Sequence, residues 1–84
     1  MALKVDEYQG NLQKSMKHGT GMLRLKCGDT YKGHFKHDQR NGQGICMFAS
    51  GALYKGEWRD DCPHGPGILY SGSNEIIECR FEKG

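Results

Sequence analysis

Two stretches, Tyr31-Lys32-Gly33-His34-Phe35 and Tyr54-Lys55-Gly56-Glu57-Trp58, decide the fold because they are copies of one pattern placed 23 residues apart. An earlier copy begins at Tyr8-Gln9-Gly10, and a degenerate fourth begins at Ile77-Glu78-Cys79. Self-similarity at a fixed period of this size predicts a repeat array. It argues against an enzyme, because catalytic groups rarely recur unchanged in every unit. A second block repeats in step as Gly19-Thr20-Gly21, Gly42-Gln43-Gly44 and Gly65-Pro66-Gly67.

Each unit is predicted to form two β-strands. In the first strand, Tyr31 and Phe35 stand four residues apart with Gly33 midway, so that all three face one side of a sheet. The residues between them, Lys32 and His34, are polar, which is typical of a sheet with one covered and one wet face. A helix would scatter these residues, and each internal glycine would cost it roughly 1 kcal/mol.

The second strand begins at the Gly-x-Gly block and ends in a turn that contains glycine. Gly28 and Gly51 share one column there, and Asn74 takes that column in the third unit. Because asparagine tolerates positive φ better than most residues, the column predicts a left-handed turn position. The other connection (residues 13–17 and its copies) is more polar and is expected to be the longer of the two.

Glycines inside strands suggest that large groups approach the backbone, since glycine otherwise weakens a strand. We expect aromatic rings of one strand to lie over the bare backbone of its neighbour. Leu23 and Leu25 are expected to share this face, with Arg24 turned outward. The structural role is assigned to Gly10, Gly19, Gly21, Gly33, Gly42, Gly44, Gly56, Gly65 and Gly67.

The predicted fold class is therefore all-β, an elongated single-layer antiparallel sheet of tandem β-hairpins, each touching only its neighbours. The units are placed at 8–30, 31–53 and 54–76, after a lead-in at 1–7 and before an incomplete fourth unit at 77–84. Because the last strand has no returning partner, we expect a fragment of a longer array or self-association through the sheet edges.

Composition and motifs exclude several classes. No apolar run is long enough for a membrane span or a secretory signal, so a cytoplasmic location is expected. The four cysteines form no C-x-x-C pair and are expected to be free thiols. No phosphate loop, nucleophile motif or closely spaced set of metal ligands occurs. We therefore expect no catalysis, no cofactor and no metal.

The assembled columns resemble the MORN (membrane occupation and recognition nexus) repeat from Tyr8 to Gly84, most closely in the second unit. The chain departs from that pattern where the family usually has glycine, in the column of Ser15, Asp38 and Asp61. It departs again with Leu12 in the aromatic column. The resemblance implies a scaffold or adaptor that binds other proteins, often of the cytoskeleton or cilia, through an aromatic-lined groove. It also implies self-association in some members and contact with anionic lipids in others.

The principal hypothesis is a non-enzymatic scaffold that binds a peptide or helix of a partner protein. A single-layer sheet is expected to leave one side of its rings partly exposed, and exposed aromatic stripes are typical of binding surfaces. The predicted partner-binding residues are Tyr31, Phe35, Tyr54 and Trp58.

A membrane alternative follows from the charge distribution, which is +4 over residues 1–42 and −2 over residues 43–84. Each basic side chain near an anionic leaflet contributes about 1 kcal/mol, so several must cluster. A regulatory segment of a larger protein is a third possibility, and nucleic acid is not expected, because the basic residues do not interleave with exposed aromatics on one face. The predicted lipid patch is Lys14, Lys17, Arg24, Lys26, Lys32 and Lys36.

Overall fold

The computed structural model describes residues 6–73 and 75–81, the side chain of Cys79 excepted. Seven strands form one sheet in chain order, each antiparallel to the next, which confirms the predicted single layer of tandem hairpins. No helix that could cross a membrane occurs among the described residues. The strands are β1 (Glu7–Gln13), β2 (Met16–Arg24), β3 (Thr30–Lys36), β4 (Gln39–Met47), β5 (Leu53–Arg59), β6 (Cys62–Tyr70) and β7 (Ile76–Phe81).

A row of directly opposed glycines crosses the first six strands. Three tyrosine rings lie over this row, one in each unit, as expected from the sequence. A Cβ atom added to Gly44, for example, would overlap the Tyr31 ring. The rings therefore take the space that side chains would otherwise occupy and shield the backbone from water. The row consists of Gly10, Gly21, Gly33, Gly44, Gly56 and Gly67.

A β-bulge interrupts the pairing within each hairpin just beyond the glycine row. Gly10 pairs with Gly21, but Leu12 pairs with Lys17, so β2 carries extra residues there. Gly19 lies in this bulge with φ of 70°, and Gly42 and Gly65 repeat it with φ of 102° and 66°. Left-handed φ at a bulge favours glycine, and the bend increases the local twist of the sheet. The second glycine column is thus a bending position.

The core lies on the side of the sheet that carries the tyrosines, which we call the aromatic face. Leu23 is buried there and Leu25 packs against the cluster, while Arg24 is exposed, so the predicted orientation of these residues is confirmed. The opposite side, which we call the outer face, carries the intervening residues. The buried apolar residues are Leu23, Tyr31, Phe35, Cys46, Tyr54 and Trp58.

The prediction of which connection between strands is the longer one is wrong. Residues 14–15, and their copies 37–38 and 60–61, form tight two-residue turns with φ between 50° and 70°. Positive φ at both positions is the geometry of a type I′ hairpin turn. The longer connections are residues 25–29 and their copies, where Gly28 and Gly51 have φ of 103° and 100°, as predicted. Asn74 lies outside the described residues.

Replacing Lys14-Ser15 by Asn-Gly should stabilise the protein. Both residues are left-handed, with φ of 51° and 65°, and Asn-Gly is the preferred type I′ pair. We expect a gain of about 1 kcal/mol and a rise in Tm of about 4–8 °C, measured by thermal circular dichroism. The same change at His37-Asp38 should gain less, because it removes a carboxylate that is bonded to Lys17. An equal gain at both turns would contradict this explanation.

Gly44→Ala should destabilise the sheet, because its methyl group must displace the Tyr31 ring from the glycine row. Overpacking of this kind costs about 1–3 kcal/mol, measured by chemical denaturation. Gly72→Ala is the matched control, since the nearest atom to its Cβ would be the Ser50 carbonyl oxygen at 3.7 Å. Equal stability of the two variants would show that the ring does not depend on a bare backbone.

Candidate functional site

The four aromatic residues predicted to bind a partner are buried on the aromatic face. The exposed fraction is 0% for Tyr31, 3% for Phe35, 3% for Tyr54 and 4% for Trp58. The expectation of a partly exposed stripe is therefore wrong. Neighbouring rings cover one another, and side chains from β4 and from the longer connections pack over them. A direct partner contact by these residues stays a prediction.

The rings form a continuous chain of edge-to-face contacts across the units. Centroid separations run from 5.1 to 5.6 Å and interplanar angles from 79° to 86°. Each such pair stabilises by about 0.5–1.5 kcal/mol beyond the area it buries. Two of the five contacts lie within a unit and three join neighbouring units, so this series of rings holds the array together. The order of the rings is Tyr8, Phe35, Tyr31, Trp58, Tyr54 and Phe81.

The hydroxyl of Tyr31 is fixed although its ring is buried. It donates a hydrogen bond to the His34 carbonyl oxygen at 2.9 Å, and Tyr8 donates to the Asn11 carbonyl oxygen at 2.6 Å in the same way. Burial raises the pKa of Tyr31 to about 12, against an opposing effect of the nearby Arg40 guanidinium. Tyr31 is thus a neutral core residue at physiological pH.

An aspartate in the tight turn of one unit binds the preceding unit. The Asp38 carboxylate accepts the Lys17 backbone N–H at 3.0 Å and the Lys17 ammonium at 3.1 Å. Asp61 repeats this one unit later with Arg40, at 2.8 Å to its backbone N–H and 3.1 Å to Nε. The hydrogen bonds lower the pKa of Asp38 from its ordinary value. Aspartate therefore links neighbouring units in the column where the resemblance expects glycine.

The cation of each link also covers the aromatic face. The Arg40 guanidinium lies 4.7 Å from the centre of the Trp58 ring and 5.7 Å from that of Tyr31. The Lys17 ammonium lies 5.7 Å from the centre of the Tyr8 ring. Cations over aromatic faces stabilise by about 0.5–2 kcal/mol, and Asp61 holds Arg40 in this position. The face predicted to bind a partner is thus closed by its own side chains.

The six residues of the predicted lipid patch do not lie together. Arg24, Lys32 and Lys36 share the outer face, whereas Lys17 is directed to the aromatic face by Asp38. Lys14 lies in a tight turn and Lys26 in a longer connection, where its backbone N–H donates to Asp6. Three of the six therefore form a shared surface, and lipid binding stays a prediction.

The outer face carries an apolar surface on β4–β7 that the sequence analysis missed. Met47, Leu53, Tyr70 and Ile76 stand directly opposite one another on these four strands. Directly opposed residues share a face, so these side chains lie side by side. Exposed fractions of 41% for Met47, 36% for Tyr70 and 66% for Ile76 leave apolar area accessible.

A second row two residues along the strands extends this surface. Ile45 and Ile68 alternate there with Lys55 and Glu78. Part of the signal for this row was available in the sequence, because Ile45 and Ile68 occupy one column of the repeat. The sequence did not show that these residues face outward, because the turn geometry decides which residues of the second strand lie on the outer face.

A groove of about 620 Å³ lies on this part of the outer face. The backbone of Gly56 and Gly67 forms part of its lining, since glycine leaves no side chain to fill the space. Ile68 and Tyr70 supply apolar walls, and charged groups from β5 and β7 stand at its sides. The other lining residues are Gln43, Lys55, Pro66, Glu78 and Arg80. An open groove that combines apolar walls with polar and charged groups can accommodate a peptide.

The described residues offer little chemistry of other kinds. No group of three or more His, Cys, Asp or Glu side chains within residues 6–73 and 75–81 is placed to hold a metal ion. Cys27 and Cys62 are exposed free thiols. Cys46 is a free thiol in the core, where burial raises its pKa.

A one-layer array of hairpins, with a self-covered aromatic face and an open outer groove, is the architecture of a tandem-repeat module. The MORN repeat pattern matches residues 8–29, 31–53 and 54–75, and the chain belongs to the MORN-repeat family. MORN repeats are in general non-enzymatic modules that interact with proteins or membranes. None of the curated proteins compared with the chain matches it.

The link between Asp38 and Lys17, which joins the first two units, should weaken in acid. Because its hydrogen bonds to Lys17 lower the folded-state pKa of Asp38, the carboxylate stabilises the fold above its unfolded-state pKa of about 3.9. This contribution is lost as the pH falls through the lower, folded-state value. Asp38→Asn should therefore be less stable than the unmodified chain at pH 7, and the difference should shrink towards pH 2, measured by denaturation with urea.

Asp60→Asn is the matched control for this experiment. Asp60 lies in the equivalent type I′ turn with φ of 50°, at the position before the linking aspartate. Its substitution should change stability little at either pH. A difference for Asp38→Asn that stays constant from pH 7 to pH 2 would exclude the carboxylate as the stabilising group.

Proposed function

We propose that this chain is a protein-interaction scaffold that binds a peptide or helical segment of a partner in the outer groove of β4–β7. The observation that carries the proposal is the row of Met47, Leu53, Tyr70 and Ile76 beside the groove. Contiguous apolar surface on a soluble protein, when it is large enough, marks an interaction site. The general role of MORN repeats as interaction modules supports the same conclusion.

The buried aromatic residues take a different role in this proposal from the one expected from sequence. Tyr54 and Trp58 hold the sheet in shape from the aromatic face, and the groove on the outer face meets the partner. Truncating a buried aromatic costs about 3–5 kcal/mol, so such variants would lose binding through loss of the fold. A test of binding must therefore change outward residues.

Selection of a displayed random-peptide library on the immobilised chain would test the groove directly. Recovered peptides should lose at least about tenfold in affinity when Ile68→Ser and Tyr70→Ser are combined, because both side chains line the groove. Affinities would be measured by isothermal titration, and circular dichroism would check that the sheet is retained.

Leu12→Ser is the matched control. Leu12 is 62% exposed in the first unit and lies outside the groove, so its loss should leave peptide affinity unchanged. Failure to recover any peptide would count against the proposal. Equal binding by the Ile68/Tyr70 variant and the unmodified chain would also count against it.

A further inference from the structure

A second cavity, of about 430 Å³, lies on the outer face beside the groove, between β2, β3 and β4. His18, His34, Lys36 and Asn41 contribute to its lining, and all four can donate hydrogen bonds. Gln43 lines both this cavity and the groove, so the two form one continuous surface. We call this cavity the basic cavity.

Local geometry sets the position of His34. A Cβ atom added to Gly42 would lie 3.1 Å from the Cβ atom of His34, so this histidine lies directly over the left-handed glycine of the β4 bulge. Asn11 lies over Gly19 in the preceding unit, and Glu57 over Gly65 in the following one. The same position therefore carries an amide, an imidazole and a carboxylate in successive units. Only the second unit combines it with a neighbouring lysine and a second histidine.

The strands around the basic cavity carry positive charge, and one carboxylate, that of Glu57 on β5, stands opposite Gln43 at the edge of the cavity. Strands β2, β3 and β4 contain no aspartate or glutamate, and Arg24 and Lys32 add positive charge to their outer face. The nearest turn carboxylate, Asp38, is bonded to Lys17 at the aromatic face. The Glu57 carboxylate is directed towards Gly65 on β6. An anion in the cavity would therefore meet donors and positive charge.

We propose that the basic cavity binds a phosphorylated side chain of the partner segment whose apolar residues occupy the groove. A phosphate monoester carries nearly two negative charges at pH 7 and three strong acceptor oxygens. Lys36, His34 and His18 all line the cavity, and each carries a group that can donate to a phosphate oxygen. The inference rests on the proposed function, since it assigns a chemical class to the partner at the same surface.

O-phospho-L-serine is the probe for this site. Titration of the ¹⁵N-labelled chain at constant ionic strength should give saturable shifts of the backbone amides of His34, Lys36, Asn41 and Gly42. Lys36→Gln and His34→Gln should each weaken binding about tenfold, because each removes a donor to the phosphate. Lys26→Gln removes the same charge from the loop after β2, away from the cavity, and should leave binding unchanged. Unphosphorylated serine should produce no saturable shift.

Two results would overturn the proposal. The first is the absence of saturable phosphoserine shifts; if vesicles that contain phosphatidylinositol 4,5-bisphosphate bind in that case, the surface is assigned to a membrane. The second is an equal loss for Lys26→Gln and Lys36→Gln, which would indicate diffuse charge. Failure of the groove is distinguishable, because Ile68→Ser with Tyr70→Ser should weaken peptide binding at least about tenfold and leave the phosphoserine shifts intact.

Discussion

The packing of tyrosine rings on a row of bare backbone is the interaction on which the rest of the structure depends. A one-layer sheet has no opposing layer to bury its apolar residues, so burial must come from within the sheet. The glycine row lets Tyr31 lie flat enough for Phe35 and Trp58 to pack against its sides. Glycines of six strands support one layer of rings in this way, and within the described residues the core forms without a second sheet or a helix.

The same constraint explains why the two faces differ in exposure. Once the glycines admit the rings on the aromatic face, the links between Asp61 and Arg40 close that face further. On the outer face, the glycines leave positions that no side chain fills. Gly56 and Gly67 therefore become part of the lining of an open groove. The glycine row thus produces both a covered core and an accessible surface, on opposite sides of a single backbone layer.

The sequence was sufficient to predict the fold but not the surface. Spacing of Tyr, Gly and Phe in each unit determines the strands and the ring-on-glycine contacts, because these are local and repeat unchanged. Burial of Tyr31 was not predictable in this way, since it depends on Arg40 and on residues of neighbouring units. The tight turns were misjudged for a related reason. Lys14 and Asp60 adopt positive φ without the glycine that usually signals it.

Under the proposed function, differences between units, rather than the repeat itself, determine the specificity of the outer face. Positions that support the core are nearly constant, because every unit must present the same rings and glycines to its neighbours. Outward positions are free to vary, and they do: the column of Asn11, His34 and Glu57 changes chemistry at each step over the same bulge. An array built in this way can place a basic cavity beside an apolar groove without altering its fold. Under the proposed function, the residues that recognise a partner are therefore outward residues that differ between units. The residues that stabilise the fold are those that repeat in every unit.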